Sequence, residues 1–225
     1  MSPTVVRPGP AASTPPVEPP PESCPVCGRT TYGRLPVCFC CRLTTRQLGL
    51  PLVPVTVTGE YRLGDRDHRM LRGYKDGPTE EARTRHRAAL VSELAAWLSA
   101  HGRALADRNG PWSVVTAVPS TRRTGSAPAE ALVDGVPQLA ERHLRLLGRG
   151  SGPLDHLVAA RDGFVPLPGV DRAGLDGLPV LVFDDSITTG ARAQSAAAAL
   201  RLAGASVVGI LAVGRALAPH ATGSC

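Results

Sequence analysis

The sequence predicts an α/β fold in which helices flank a mainly parallel β-sheet, with a small cysteine-rich module before it. The segments PVLVF and SVVGILAV read as strands, and the residues between them, from Ala191 to Ala203, read as a helix closed by Gly204. Strand, helix and strand in quick succession imply a right-handed parallel crossover. Both strands are nearly continuous apolar runs, which is typical of a sheet with helices on both faces.

The composition indicates one globular domain with a small module or a tail beside it. Of 225 residues, 43% are hydrophobic and 20% are charged, which argues against a fibrous protein. The net charge of +6 favours anionic partners such as phosphorylated metabolites or nucleic acid. Because the positive charge is mostly arginine scattered along the chain, a solvated basic surface is the simpler explanation.

The start of the chain is rich in proline and poor in large apolar residues, so residues 1–22 are expected to form a disordered tail. This stretch lacks the basic start and apolar centre of a signal peptide. No later run is long enough to cross a bilayer. We therefore expect a cytoplasmic protein with no membrane span.

Five of the six cysteines lie in the segment CPVCGRTTYGRLPVCFCC. Cys24 and Cys27 form one C-x2-C knuckle, and Cys38 with Cys41 can form a second one around Cys40. Two knuckles can place four thiolates tetrahedrally around zinc, and in a reducing compartment such a cluster favours metal over disulfides. We predict a closed structural zinc site with four cysteine ligands in a module at residues 23–45, with free thiols or a redox pair as alternatives. The pattern leaves open which of the three later cysteines bind the metal.

The segment after this module predicts a strand and then a long helix. Val53, Val55 and Val57 alternate with small or polar residues, and the prolines around them favour an edge strand. From Thr79 to His101, leucines recur every fourth residue and acidic residues occupy the start, which predicts an amphipathic helix.

The middle of the chain predicts a short strand, a broken helix and a loop. SVVTAVPS reads as an apolar strand followed by a basic loop. A helical segment is expected from Ala127 to Leu147, with an interruption near Gly135 and Pro137. Residues 148–176 read as a long loop with a small hairpin, and long loops in compact domains are often functional. His156 and Arg161 in this loop could approach a substrate, although solvated side chains are the simpler interpretation.

Two adjacent carboxylates, Asp184 and Asp185, follow the strand PVLVF. Ligands of parallel α/β sheets collect at the carboxyl ends of the strands, which is where these acids fall. Neighbouring carboxylates repel each other, so the pair requires a partner that stabilises its charge. Hydroxyl donors of a ligand, together with magnesium or a basic side chain, would supply that stabilisation.

The next residues, S-I-T-T-G, open a helix whose first backbone amides lack internal acceptors and attract anions. A phosphate fits there, held by the amides and by the hydroxyls of Ser186, Thr188 and Thr189, while Gly190 removes a crowding side chain. Acids followed by a phosphate cradle predict a ribose 5-phosphate group, with its diol on the acids. An ordinary capped strand-to-helix turn is the alternative.

The stretch VLVFDDSITTG resembles the 5-phosphoribosyl 1-diphosphate (PRPP) binding motif of type I phosphoribosyltransferases. A cysteine module, the segment MLRGYKDG, a strand that ends in proline and arginines, and this motif together resemble the ComF family of competence-associated phosphoribosyltransferase-like proteins. The resemblance covers about residues 24–213. It implies a type I phosphoribosyltransferase-like domain at 46–215, and we expect a flexible C-terminus at 216–225.

The resemblance also implies roles for individual residues. Asp184 and Asp185 would be catalytic and hold the ribose hydroxyls. The remaining PRPP-binding residues would hold the 5-phosphate, and they are Ser186, Ile187, Thr188, Thr189 and Gly190. The loop after the middle strand lies where the family binds pyrophosphate, and its candidate contacts are Ser120, Thr121, Arg122 and Arg123. Lys75 and Tyr74 match a family position but receive no role.

The leading functional hypothesis is a phosphoribosyltransferase that uses Mg2+ and PRPP. A nitrogen nucleophile, such as a nucleobase, would displace pyrophosphate from the anomeric carbon, and catalysis would come mainly from positioning. One alternative is a non-catalytic accessory protein of DNA uptake that binds single-stranded DNA or DNA-uptake proteins. Another is a sensor of PRPP or of a nucleotide that contains ribose 5-phosphate.

Overall fold

The computed structural model describes residues 23–31, 35–121 and 127–217. The tail predicted at 1–22 and most of the C-terminus predicted at 216–225 lie outside these residues. The helices and strands follow in the order α1 (Phe39–Leu48), β1 (Val55–Tyr61), α2 (Arg66–Asp76), α3 (Glu80–Asn109), β2 (Val114–Ala117), α4 (Pro128–Gly135), α5 (Pro137–Ala140), β3 (Leu147–Arg149), β4 (Phe164–Pro166), α6 (Arg172–Leu175), β5 (Pro179–Ile187), α7 (Ala191–Leu202) and β6 (Ser206–Ala216).

Four strands form a parallel sheet in the order β1-β6-β5-β2. β5 lies between two partners, with Val182 beside Ile210 of β6 and Leu181 beside Val115 of β2. Because α7 connects β5 to its parallel neighbour β6, the parallel arrangement predicted for this strand, helix and strand is confirmed. The chain is α/β, with helices flanking a parallel sheet.

The side chains of β5 alternate between two apolar cores, one on each face of the sheet. Leu181 and Phe183 belong to the cluster that α3 and α4 cover, whereas Val180 and Val182 belong to the cluster beneath α7. All four side chains are fully buried. Burial on both faces explains why this strand reads as a continuous apolar run in the sequence.

β5 extends beyond its apolar run, because its pairing with β6 continues past Phe183 to Asp184 beside Ala212 and on to Ile187. The predicted strand, PVLVF, was therefore too short. Only residues 188–190 separate β5 from α7. The acidic pair consequently lies on the rigid end of a central strand, where ladder hydrogen bonds fix its backbone.

The long helix α3 confirms the predicted amphipathic helix, but it ends at Asn109 rather than at His101. Its start is capped by Thr79, whose Oγ1 accepts a hydrogen bond from the amide of Ala82 at 3.1 Å. Its end comes at Gly110, which has a positive φ of 95°. In the described part of the chain, no helix, α3 included, combines the length and apolar character needed to span a bilayer.

The helical segment predicted from Ala127 to Leu147 is divided into α4 and α5, and its break at Val136 confirms the predicted interruption. A Cβ on Gly135 would lie 2.6 Å from Cγ2 of Val91 in α3, so a glycine allows the two helices to approach closely. The predicted end of this segment was wrong, because Leu147 begins β3. The small hairpin expected in the loop after it is confirmed by the antiparallel pair β3 and β4.

The two outer strands of the sheet are each bonded to another segment of the chain. β1 is an edge strand, as its prolines predict, and the amide of Val55 donates to the carbonyl of Val26 in the cysteine module at 2.7 Å. On the opposite edge, Val115 of β2 accepts from the amide of Leu144 at 3.0 Å and donates to the carbonyl of Arg142 at 2.8 Å. The segment after α5 therefore lies along β2 like a short additional strand.

The second core, beneath α7, includes side chains from the hairpin. Phe164 of β4 is almost completely buried there beside Leu175 of α6. α7 contributes mainly alanines, and small side chains allow a helix to lie close to a sheet. This packing fixes the start of α7 against the end of β5, where the predicted site lies.

Candidate functional site

A cavity of about 620 Å³ lies at the carboxyl end of the parallel sheet. Its wall includes every residue from 184 to 190, together with Ser120 and Thr121 after β2, Tyr61 at the end of β1, and Ala216 at the end of β6. The ends of all four strands therefore contribute to one cavity. This is the position at which ligands bind in parallel α/β sheets.

Asp184 is buried, with 2% of its surface exposed, and its carboxylate faces α7. Its Oδ1 lies 3.3 Å from Nη2 of Arg192 and accepts the amide of Asp185 at 3.0 Å. Burial raises the pKa of Asp184 to about 6, while the charge of Arg192 opposes this rise and the charge of Asp185 adds to it. In turn, Asp184 raises the pKa of Arg192.

Asp185 is equally buried, but its partners come from α2 on the other face of the sheet. Its Oδ2 lies 2.6 Å from Nζ of Lys75 and also accepts a hydrogen bond from the hydroxyl of Tyr74. The hydroxyl of Ser186 donates to Oδ1 at 3.2 Å. Asp185 thus has a cation and two hydroxyl donors of its own.

The two acids are tolerated side by side because they belong to consecutive positions of a strand, whose side chains point to opposite faces. Asp184 is directed to the α7 face and Asp185 to the α2 face, and each meets a different cation. The protein itself therefore supplies the charge stabilisation that the sequence required for this pair. Both carboxylates still line the cavity.

The bend between β5 and α7 is held by two contacts to other segments and by one contact within the bend. The carbonyl of Thr188 accepts a hydrogen bond from Arg29 of the cysteine module. The hydroxyl of Thr189 donates to the carbonyl of His156 in the hairpin loop, and it accepts the amide of Ala191 at 3.3 Å. These contacts fix the bend beside the cavity before any ligand binds.

Gly190 allows the chain to enter α7 because it has a φ of 83°, which other residues adopt at a cost. Nothing lies within 4 Å of a Cβ built there, so backbone conformation is what requires glycine. The first intrahelical bond runs from the amide of Gln194 to the carbonyl of Gly190. The amides of Arg192 and Ala193 precede it and therefore have no intrahelical acceptor, and both residues line the cavity.

The remaining predicted contacts are placed in part. Ser120 and Thr121 line the cavity, whereas Arg122 and Arg123 lie outside the described residues. His156 also lines the cavity. Arg161 does not line the cavity, and its guanidinium donates to the carbonyl of Leu48 at the end of α1.

Sequence reasoning missed the cations around the acids. Arg192 stands two residues beyond the motif and gave no separate signal in an alanine-rich helix. Lys75 and Tyr74 were singled out but given no role, because the sequence does not show that α2 lies across the sheet from β5. Arg72 and Arg149 also line the cavity and make its wall more basic.

The cysteine module contains a compact group of four sulfurs, those of Cys24, Cys27, Cys38 and Cys41. All four residues are buried, and their sulfurs lie within 4.8 Å of one another. Sulfurs bound to one zinc ion at about 2.3 Å are about 3.8 Å apart, so this spacing fits the ion. The cluster could therefore hold a zinc ion.

No protein-family model matches the chain. No curated protein matches it significantly. The interpretation of the cavity therefore depends on the chemistry of the residues that line it.

Proposed function

We propose that this chain binds PRPP and transfers its phosphoribosyl group to a nitrogen nucleophile with release of pyrophosphate, as the ComF-like and type I phosphoribosyltransferase resemblance implies. One observation carries the proposal. A buried acidic pair and a threonine-glycine bend at a helix start line the same cavity of about 620 Å³. A diol and a terminal phosphate are the groups that these two features recognise.

In this proposal the ribose hydroxyls donate to Asp184 and Asp185, and the 5-phosphate lies against the amides at the start of α7. Arg192 and Lys75 favour the ionised form of the acids beside the sugar, because each carboxylate has a cation within 3.3 Å. A hydrogen bond to a charged acceptor is worth more than one between neutral groups. The acids therefore orient the sugar as well as bind it.

The pyrophosphate group would extend toward Ser120 and Thr121. Arg72, Lys75 and Arg149 line the same space and favour the negative charge that grows on the departing pyrophosphate. These residues act by position and charge, and no covalent intermediate with the protein is required.

The oxygen-rich wall formed by Asp184, Asp185 and Ser186 is compatible with Mg2+ that arrives with the ligand. Both carboxylates already have cationic partners, so the ligand's own phosphates would supply most of the coordination. When bound, magnesium would neutralise pyrophosphate charge. We propose in the same way that the four-cysteine cluster holds one structural zinc ion, which a metal-content measurement on the purified protein would test.

Calorimetric titration with PRPP and Mg2+ tests the binding proposal. Asp185→Asn and Asp184→Asn should each weaken PRPP binding by at least about tenfold, because each removes a charged acceptor of ligand hydroxyls. Asp107→Asn, which neutralises an exposed carboxylate on α3, is the matched control and should bind as the unaltered protein does. Circular dichroism confirms that each variant is folded. Unaltered protein that does not bind PRPP, or folded acid variants that bind it equally well, would refute the proposal.

A second candidate is a sensor that binds PRPP or a nucleotide without turnover. The contacts of the bend favour it, since Thr188 and Thr189 are bonded to the cysteine module and to the hairpin loop. A ligand at the bend would then act on two other segments. Pyrophosphate release measured with PRPP and a panel of nucleobases separates the candidates: release with any base indicates an enzyme, whereas binding without release with every base tested favours the sensor.

A further inference from the structure

Arg29 connects the cysteine module to the bend at the start of α7. It stands two residues after Cys27, and its Nη2 donates to the carbonyl of Thr188 and, at 3.3 Å, to the carbonyl of Ala216. Both acceptors belong to residues that line the large cavity. Arg29 therefore reaches from the metal-ligating turn to the edge of the candidate ligand site.

The position of Arg29 is fixed by the same turn that carries the first two cysteines. The amide of Cys24 donates to the carbonyl of Arg29 at 2.7 Å, and the amide of Gly28 donates to the carbonyl of Cys24 at 2.7 Å. These two bonds close the turn between Cys24 and Arg29. Whatever holds the sulfurs of Cys24 and Cys27 together therefore also holds the backbone of Arg29.

A second arginine, Arg215, bonds the sheet to the cysteine turn. Arg215 near the end of β6 is buried, and its Nη2 donates to the carbonyl of Cys27 while its Nη1 lies 3.2 Å from Glu60 of β1. Arg215 thus bonds the cysteine turn to the carboxyl end of the sheet. Arg29 bonds the same turn to the bend at the start of α7. The cysteine turn and the candidate phosphate site share one network of hydrogen bonds.

We propose that Arg29 is a positioning residue through which metal binding by the four cysteines orders the bend at residues 188–190, so that metal and a phosphorylated ligand bind with positive coupling. The ligand part of this inference rests on the function proposed above, whereas the ordering of the bend does not. Coupling between two sites is reciprocal, so PRPP must raise the affinity for zinc by the factor by which zinc raises the affinity for PRPP.

Hydrogen exchange of the full-length protein tests the ordering of the bend without any ligand. Four samples are compared: zinc-loaded protein, protein treated with a chelator, zinc-loaded Arg29→Met and zinc-loaded Arg103→Met. Arg103 is an exposed arginine on α3 outside the cavity wall and is the matched control. Peptides that cover 184–194 should exchange about tenfold faster in Arg29→Met and in the chelated protein than in the unaltered zinc-loaded protein. This is the effect expected when a hydrogen bond from a charged donor is lost. Peptides from 206–213 should be unchanged in Arg29→Met, which a general loss of stability would not allow.

Zinc affinity, measured by competition with a chromogenic chelator, tests the coupling. Saturating PRPP with Mg2+ should tighten zinc binding about tenfold in the unaltered protein. Arg29→Met should abolish this change while still binding zinc, and Arg29→Lys, which keeps a donor, should restore part of it. If Arg29→Met does not fold, the lysine variant and the chelated protein decide.

The outcomes separate this inference from the proposed function. Unchanged exchange of the bend in both chelated protein and Arg29→Met overturns the inference. PRPP binding with no effect on zinc affinity also overturns the coupling but leaves the proposed function intact. A bend that loosens in Arg29→Met in a protein that does not bind PRPP supports the positioning role and refutes the proposed function.

Discussion

Removing the charge of Asp184 should flatten the dependence of stability on pH. The pKa of this buried carboxyl is raised from 3.8 to about 6, chiefly because burial disfavours the charged form. Arg192, Asp185, Lys75 and the Tyr61 and Tyr74 hydroxyls are the charged or titratable groups that surround it. The net effect of these groups on the pKa of Asp184 is smaller than the effect of burial, which removes water from around the carboxylate.

The sign follows from the proton counts of the two states. Between pH 3.8 and about 6 the folded protein keeps a proton on Asp184 that the unfolded chain has released, so the free energy of unfolding falls as pH rises. The difference between the two pKa values corresponds to about 3 kcal/mol in total. From about pH 5 to about pH 7.5 the loss is about 1 kcal/mol, since part of it has already occurred at lower pH.

Urea denaturation of the zinc-loaded protein and of Asp184→Asn, across this pH range, measures the effect. Other groups that titrate in the range contribute equally to both proteins, so the difference between the two curves reports Asp184. We expect the variant to gain about 1 kcal/mol relative to the unaltered protein between the two ends of the range. Parallel curves would show that burial does not raise this pKa and would refute the reasoning. PRPP affinity should change in the opposite direction and increase above about pH 6, because the ionised carboxylate is the stronger acceptor of the ribose hydroxyls.

Three further changes have defined outcomes. Lys75→Met leaves the carboxylate of Asp185, 5% exposed, without the cation at 2.6 Å, so the free energy of unfolding in urea should fall by about 3 kcal/mol; an unchanged value would show that the ion pair contributes little. Gly190→Ala places an alanine at a φ of 83° in open space and should cost about 1 to 2 kcal/mol in the same assay, whereas no cost would mean that the bend can adopt another conformation. Cys38→Ser should reduce the zinc content of the purified protein well below one ion per chain, and undiminished zinc would exclude this residue as a ligand.

Much of the fold could be predicted because its central strands are buried on both faces and its long helix has a regular leucine pattern. The boundaries were less predictable. β5 continues to Ile187 because it pairs with β6, and such pairing between distant segments leaves no local pattern in the sequence. α1 and α2 were not predicted, because in helices of 10 and 11 residues the apolar face repeats too few times to be recognised; α2, for example, buries Met70, Leu71 and Tyr74 alone.

The acidic pair and the bend could be recognised as a candidate site because adjacent acids and T-T-G at the end of an apolar strand are unusual. The residues that contact the acidic pair and the bend could not be recognised from the sequence. Lys75 lies more than a hundred positions before Asp185 in the chain, and only the packing of α2 brings the two together. Arg29 belongs to a turn whose cysteines predict a metal site, and nothing in the sequence connects that turn to Thr188.

The segment that follows α5 affects how molecules of this protein can associate with one another. Because Val115 at the rim of the sheet already exchanges hydrogen bonds with Arg142 and Leu144, a neighbouring molecule cannot add a strand there without first displacing that segment. The rim is thus protected against the edge-to-edge stacking through which exposed strands aggregate. Substitutions that loosen this segment should appear first as precipitation at high concentration rather than as altered ligand binding.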